Sequence, residues 1–205
     1  MSKENSALTY PLMEHYYTIQ GEGYNTGKAA YFIRLGGCDV GCVWCDVKDS
    51  WDASKHPAHS ISSLLELVEQ ASARRVVITG GEPAMYDLEP ITSLFKTKGK
   101  ELFIETSGAY PITGYWDWIC VSPKKFKAPL KSELKKANEL KVIVFNQSDF
   151  DWALEHAKSV SSDCKLFLQP EYSVQHRVLP GIIDFVKLHP DWQISLQTHK
   201  VMQIP

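Results

Sequence analysis

The sequence predicts an α/β fold, built as a partial, open parallel (β/α) barrel with some crossover helices missing. Three observations predict it. Short β-branched or aromatic runs alternate with amphipathic stretches, as strands and crossover helices do around a parallel sheet. Several of those runs are apolar at nearly every position, which suits strands covered on both faces. The chain has 205 residues, short of the roughly 250 that a complete eightfold barrel takes. The stretch between Gly108 and Trp118 is also too short, and too marked by Pro and Gly, to hold a packed helix.

The strand candidates are residues 30–35, 76–79, 102–105, 118–121, 141–145, 165–168 and 193–196. Among the helix candidates, Ser63-Leu64-Leu65-Glu66 has the spacing of a capping box, and Ile61, Leu64, Leu65, Val68 and Ala71 share one face. Asp87 stands where it can cap a helix carrying Leu88, Ile91, Leu94 and Phe95. Ser148 can start another with Phe150, Trp152, Ala153, Leu154 and Ala157. The last, over about 174–188, contains Pro180-Gly181 and is expected to break there. No repeat, low-complexity tract or linker divides the chain, so residues 1–205 read as a single domain.

Composition narrows the function classes. With 44% hydrophobic and 22% charged residues, the chain is globular in character. Its 22 basic and 24 acidic side chains leave a net charge of −2, which argues against binding nucleic acid by bulk attraction. Aromatic content of 11% could serve a base-stacking surface, but without a basic stripe that is the weakest reading. No apolar run nears the ~18 residues of a membrane helix. The opening MSKENSALTY has no apolar core of a signal peptide, and a cytoplasmic protein is expected.

The polar residues follow the strands. GGCDVGCVWC comes after 30–35, GGEP after 76–79, TSG after 102–105, SPK after 118–121, QPEY after 165–168 and QTHK after 193–196. Loops at the carboxyl ends of parallel strands converge on one face, where ligands bind. Six such loops predict an active site.

Cys38-x3-Cys42-x2-Cys45 places three thiols in one of these loops. Thiolates select zinc, copper(I) or iron–sulfur clusters. Structural zinc is normally closed by four ligands, and no fourth Cys lies at short spacing, though His56 or His59 could serve from a distance. Redox pairing of Cys42 with Cys45 would leave Cys38 unexplained. A 4Fe-4S cluster held by three cysteines uses them all and leaves one iron open to a small chelate, which implies chemistry at the cluster. Cys120 and Cys164 read as small buried residues.

With Trp44 just before the last Cys, and Gly80-Gly81-Glu82 following a later strand, the triplet resembles the motif of the radical S-adenosylmethionine superfamily. The resemblance covers nearly the whole chain. TIQGEG at 18–23, FIRLGGC at 32–38, CDVK at 45–48, VVITGGEP, IETSG, SPK and LQTHK are similar to the 7-carboxy-7-deazaguanine synthase family, a subset of which has this cysteine spacing.

That resemblance implies a radical SAM partial barrel that rearranges 6-carboxy-5,6,7,8-tetrahydropterin to 7-carboxy-7-deazaguanine with loss of ammonia, in queuosine biosynthesis. It implies a 4Fe-4S cluster on Cys38, Cys42 and Cys45, and S-adenosyl-L-methionine against Trp44, Cys45, Asp46, Gly81, Glu82, Ser122, Pro123, Lys124, Gln169, Pro170, Glu171 and Tyr172. Substrate is implied against Ile19, Gln20, Gly21, Glu22, Arg34, Thr79, His199 and the terminal carboxylate of Pro205, with Glu105 and Ser107 on the same rim. A planar guanidinium such as Arg34 suits a carboxylate, although an Arg paired with a carboxylate of the chain itself is the ordinary alternative. Glu82 likewise suits the cofactor ammonium or, more plainly, a helix start. Val47 stands where the family often has a hydroxyl that helps hold Mg2+, so magnesium is doubtful and has no protein ligand here. The implied partners are a flavodoxin-like or ferredoxin-like electron donor and a second copy in a homodimer. The competing readings are a glycyl-radical-enzyme activase and a non-catalytic zinc or iron–sulfur binding module.

Overall fold

The computed structural model describes residues 8–205. Most of the opening decapeptide read above as lacking a leader therefore lies outside the described residues. Nine strands form one sheet in them: β1 (Thr9–Ile19), β2 (Ala29–Leu35), β3 (Ala58–Ser60), β4 (Arg75–Gly80), β5 (Glu101–Thr106), β6 (Trp118–Val121), β7 (Glu139–Val144), β8 (Lys165–Pro170) and β9 (Trp192–Ile194). The sheet order is β3-β1-β2-β4-β5-β6-β7-β8-β9. From β2 to β9 every pairing is parallel, whereas β1 runs antiparallel to both β2 and β3. β3 and β9 are the two edges, so the sheet stays open, as expected.

Helices cover one face: α1 (Ile61–Gln70), α2 (Glu89–Thr97), α3 (Lys131–Leu134), α4 (Ser148–Ala157) and α5 (Gln175–Leu188), while the short α6 (Thr198–Met202) lies against the turn after β1. Leu64 and Val68 of α1, Ile91 and Phe95 of α2, Ala153 of α4 and Ile182 of α5 are fully buried with Ile78, Leu102, Ile104, Val142 and Leu168 of the sheet. Alternation along β2 and β4 sends Phe32 and Val77 to the other face, where Ala30, Tyr16 and Phe103 complete a smaller cluster. No described helix is long and apolar enough to cross a membrane. The link from β5 to β6 carries no helix, as its length and composition predicted.

Four expectations need correction. The eleven-residue β1 was not foreseen, because its half-exposed Tyr, His and Glu positions do not make an apolar run. The cap of α1 is Ser60, whose Oγ accepts from the Ser63 N–H at 3.2 Å, so the capping-box reading at Ser63 falls inside the helix. In addition, α5 runs unbroken through Pro180. The proline deletes one helical hydrogen bond, to the His176 carbonyl. Both residues are exposed, so water can serve that carbonyl while Val178 and Ile182 keep the helix packed on the core. The expected cap at Asp87 falls one residue early: the cap position of α2 is Leu88, which makes no side-chain cap bond, while Asp87 Oδ1 accepts from Glu89 N–H at 3.1 Å.

Candidate active site

The carboxyl ends of the parallel strands surround a cavity of about 280 Å³. Every site residue expected above lines it except Pro123, which faces a neighbouring depression beside Lys125, Phe126 and Trp152. Glu105 and Ser107 line the cavity as well.

The cysteine loop leaves β2 through Gly36 and Gly37. Gly37 has φ of 101°, a conformation that favours glycine. Its N–H donates to the Ser50 carbonyl at 2.6 Å, and Cys38 N–H donates to the Trp51 carbonyl at 3.1 Å, so the loop folds back on itself. All three thiols are free and line the cavity. Burial raises the Cys38 thiol, with nearby Glu82 and Cys45 adding to it. Burial also pushes Cys42 up to about 11, although Lys124 pulls the other way. Among the described residues no three His, Cys, Asp or Glu side chains converge on a point that would hold a single metal ion. His56 is engaged with the Asp49 carbonyl at 2.9 Å, and neither His56 nor His59 lines the cavity. Three soft thiol donors sharing one cavity are a donor set that an iron–sulfur cluster can take.

The Gly-Gly-Glu segment locks onto this loop. Glu82 N–H donates to the Gly37 carbonyl at 2.9 Å, and a Cβ at Gly81 would meet that same oxygen at 2.5 Å. Glu82 is only 1% exposed. Its carboxylate accepts from Ala84 N–H at 3.0 Å, Thr106 Oγ1 at 2.5 Å, Ser107 N–H at 2.8 Å and the Ser107 hydroxyl. A carboxylate has about four acceptor positions, so all four are filled from the protein, and a ligand ammonium has to compete for them.

Beside the cysteine loop, Lys124 donates to Ser122 Oγ at 2.5 Å and lies 5.5 Å from the centre of the Trp44 ring. Burial lowers its pKa. Gln169 and Pro170 end β8, and Glu171 caps the short 3-10 turn that begins at Tyr172. Lys200 sits 4.1 Å over the Tyr172 ring and 3.6 Å from Asp46 Oδ2, drawing α6 toward the cysteine loop.

The other end of the cavity belongs to Arg34 and the Gln20–Gly23 turn. Arg34 Nε pairs with Glu14 Oε1 at 2.5 Å and its Nη2 reaches the Tyr16 hydroxyl at 3.5 Å. These contacts use two of the five guanidinium donors. Thr79 stands beside Arg34 in the β2–β4 register. The Gly21 carbonyl accepts from both the N–H and the hydroxyl of Thr198 at 3.0 Å, and His199 packs where a Gly21 side chain would lie. Burial lowers the His199 pKa, favouring the neutral ring. Thr18 Oγ1 donates to the Pro205 oxygen at 3.2 Å, which holds the last residue at the cavity wall.

Sequence reasoning missed Lys141 and Tyr16 and reached Thr106 and Gln197 only as members of the TSG and QTHK loops; all four line the cavity. Lys141 had a signal. It and Glu139 lie two residues apart in an otherwise buried apolar strand, so both charges point to one face.

An open parallel sheet with a three-cysteine loop at one strand end and Gly-Gly-Glu at the next defines a radical SAM protein, and residues 32–119 match the family model described as the Radical SAM superfamily. Whole-chain comparison is more specific. The chain is 52% identical over 195 residues to the 7-carboxy-7-deazaguanine synthase of Flavobacterium psychrophilum, covering 95% of this chain and 92% of that relative. It is 44% identical to the synthase of that name from Synechocystis sp., covering 96% and 94%. The crystal structure of QueE from Escherichia coli superposes with a TM-score of 0.82 at 34% identity, covering 92% of this chain and 93% of that one. The chain belongs to the 7-carboxy-7-deazaguanine synthase family.

Proposed function

We propose that this chain is a carbon–nitrogen lyase that converts 6-carboxy-5,6,7,8-tetrahydropterin to 7-carboxy-7-deazaguanine with loss of ammonia, supplying queuosine biosynthesis. The observation that carries the reading is one cavity with two unlike ends. Three free thiols line one end, and a half-buried arginine with two half-used carboxylates lines the other. Cys38, Cys42 and Cys45 would hold a 4Fe-4S cluster, which with S-adenosyl-L-methionine supplies one-electron hydrogen-abstraction chemistry.

The chain's own residues bind, orient and shield. Arg34, anchored by Glu14 and Tyr16, turns its remaining N–H groups toward a substrate carboxylate. Gln20, Glu22 and Glu105 offer an amide and carboxylates to the amino and ring N–H groups of a pterin. Ile19, Gly21, Thr79, His199 and Pro205 close around it. Trp44, Asp46, Gly81, Glu82, Ser122, Lys124 and the Gln169–Tyr172 segment line the cofactor side, and Pro123 supports that wall from behind. Val47 lines the cavity without an oxygen in its side chain, so Mg2+, a hard cation, would bind only through substrate and water. The reading further takes the protein as a single cytoplasmic domain that acts as a homodimer, receives electrons from a flavodoxin-like or ferredoxin-like donor, and binds no nucleic acid.

An anaerobic assay of the reconstituted chain with S-adenosylmethionine, reductant and 6-carboxytetrahydropterin, followed by mass spectrometry, tests the reading. The expected product is 7-carboxy-7-deazaguanine, lost when Cys38, Cys42 or Cys45 is replaced by alanine. Cofactor cleavage without that product would refute the substrate, and zinc in place of iron would refute the chemistry.

A further inference from the structure

Lys141 is only 4% exposed in the middle of the sheet. Burying an ammonium costs several kcal/mol unless close partners offset it. Its Nζ donates to Glu22 Oε2 at 2.7 Å and to Glu105 Oε2 at 2.9 Å. Glu105 Oε1 accepts from Gln20 Nε2 at 3.3 Å, and Glu22 Oε1 accepts from Gln197 Nε2 at 2.8 Å. One cation therefore ties β7 to the end of β5 and to the turn after β1, and through Gln197 to the C-terminal segment.

The acceptor arithmetic separates these carboxylates from Glu82. Glu82 has its four positions filled, whereas Glu22 accepts from Lys141 and Gln197, with Gln169 as a further neighbour, and Glu105 accepts from Gln20 and Lys141. Both Glu22 and Glu105 line the cavity and keep lone pairs for a ligand.

We propose that Lys141 is a positioning residue for substrate recognition: it fixes Glu22 and Glu105 as acceptors for adjacent N–H donors of a planar heterocycle. The identity of that heterocycle as a pterin rests on the reading above.

The surrounding charges agree. Burial would raise the Glu22 carboxyl, but the Lys141 charge and the hydrogen bonds from Lys141 and Gln197 bring it down to about 2. Burial also works against the Lys141 proton, yet Cys120 on β6, Glu105 on β5, Glu22 and Glu139 on β7 together hold it well above the ordinary lysine value. Lys124 after β6 and His199 on α6 also feel Lys141, each being lowered by it as well as by burial. Without Lys141, Glu22 and Glu105 would lose their shared cation beside the buried Glu139, and like charges at close range disfavour the ionised carboxylate. A protonated acid presents a donor to the ligand's donors and repels the edge it should read.

The test uses Lys141→Met and the stable oxidised analogue 6-carboxypterin, whose fluorescence reports binding without turnover. Wild-type affinity is expected to change by less than about threefold between about pH 5 and pH 7.5, while that of K141M falls by about tenfold or more toward the acid end. A folded K141M with a flat profile like the wild type overturns the proposal. A second arm does not depend on the variant folding: carbon-13 NMR of glutamate carboxyls in the wild type, with the Glu22 signal identified by its loss in Glu22→Gln. Glu22 is expected to stay ionised from about pH 4 to pH 8, and titration inside that window overturns the proposal. If Glu22 stays ionised but 6-carboxypterin does not bind the wild type, the pterin reading fails and the positioning role stands.

Discussion

Gly81→Ala probes the tie between the Gly-Gly-Glu segment and the cysteine loop. An ideal Cβ at Gly81 would lie 2.5 Å from the Gly37 carbonyl oxygen and 2.6 Å from the Cys38 Cβ. Neither obstacle is the free end of a flexible side chain, so the backbone has to yield by about 0.9 Å to reach the ordinary 3.4 Å contact. The Gly81 N–H bond to the Leu35 carbonyl at 3.0 Å and the Glu82 N–H bond to Gly37 at 2.9 Å resist that movement. Overpacking of this kind costs about 1–3 kcal/mol, a fall in Tm of roughly 2–12 °C for a chain of this size. Function suffers more, because Cys38 moves with Gly37 while Cys42 and Cys45 do not. A displacement near 1 Å in a positioned site lowers turnover about 100-fold. The assay is a circular-dichroism melt together with iron content and turnover after anaerobic reconstitution. Gly181→Ala is the control: its Cβ would meet the Phe150 ring at an ordinary 3.6 Å inside α5. It should add about 0.5–1 kcal/mol of helix stability and leave iron unchanged. Wild-type melting, iron and turnover in G81A would refute the close packing of the two segments.

Two carboxylates with opposite shifts give opposite pH responses. Glu22 is held below its unfolded value of 4.5, so its stabilisation is present above about pH 4.5 and is lost as pH falls toward about 2. Glu139 is raised by burial and by Glu105, and its Oε1 has no partner, so it costs stability increasingly as pH rises above 4.5. Glu139→Gln should therefore stabilise by about 1 kcal/mol at alkaline pH and by less near pH 5 in urea denaturation. Equal gains at both would count against a raised carboxyl. Arg34→Lys should raise the substrate KM by about 10–100-fold, through loss of the planar fork, with iron content unchanged; an unchanged KM would remove Arg34 from carboxylate recognition. Residues appended after Pro205 should lower kcat/KM by about tenfold or more and leave iron binding intact, because Pro205 is held at the cavity wall by Thr18. Equal turnover with and without the extension would sink that role.

The fold was legible where one physical cause controlled the pattern. β4, β7 and β8 are buried on both faces over most of their length, so burial wrote itself into the sequence as apolar runs. β1 was illegible because its stability comes from pairing, with β2 along seven register positions and with β3 along three, while its side chains answer to water, core and cavity in turn. The unbroken α5 follows the same rule. Local propensity at Pro180 favoured a break, and packing of Val178 and Ile182 across it prevailed.

The site divides along a similar line. Residues whose role depends on neighbours in the chain were readable, since a cysteine loop or a Gly-Gly-Glu turn needs its partners within a few positions. Lys141, Glu22, Glu105 and Gln197 meet only because four strand ends converge, and the Lys141–Glu22 pair is separated by 119 residues. No local spacing encodes such a contact. What the chain does carry is the cost: a lysine and a glutamate on one face of a strand too apolar to leave either in water. Charges there persist only if other elements bring partners to them. A buried charge in a central parallel strand is thus a sequence-level demand for a distant counter-charge, and here that counter-charge belongs to the loop that reads the ligand.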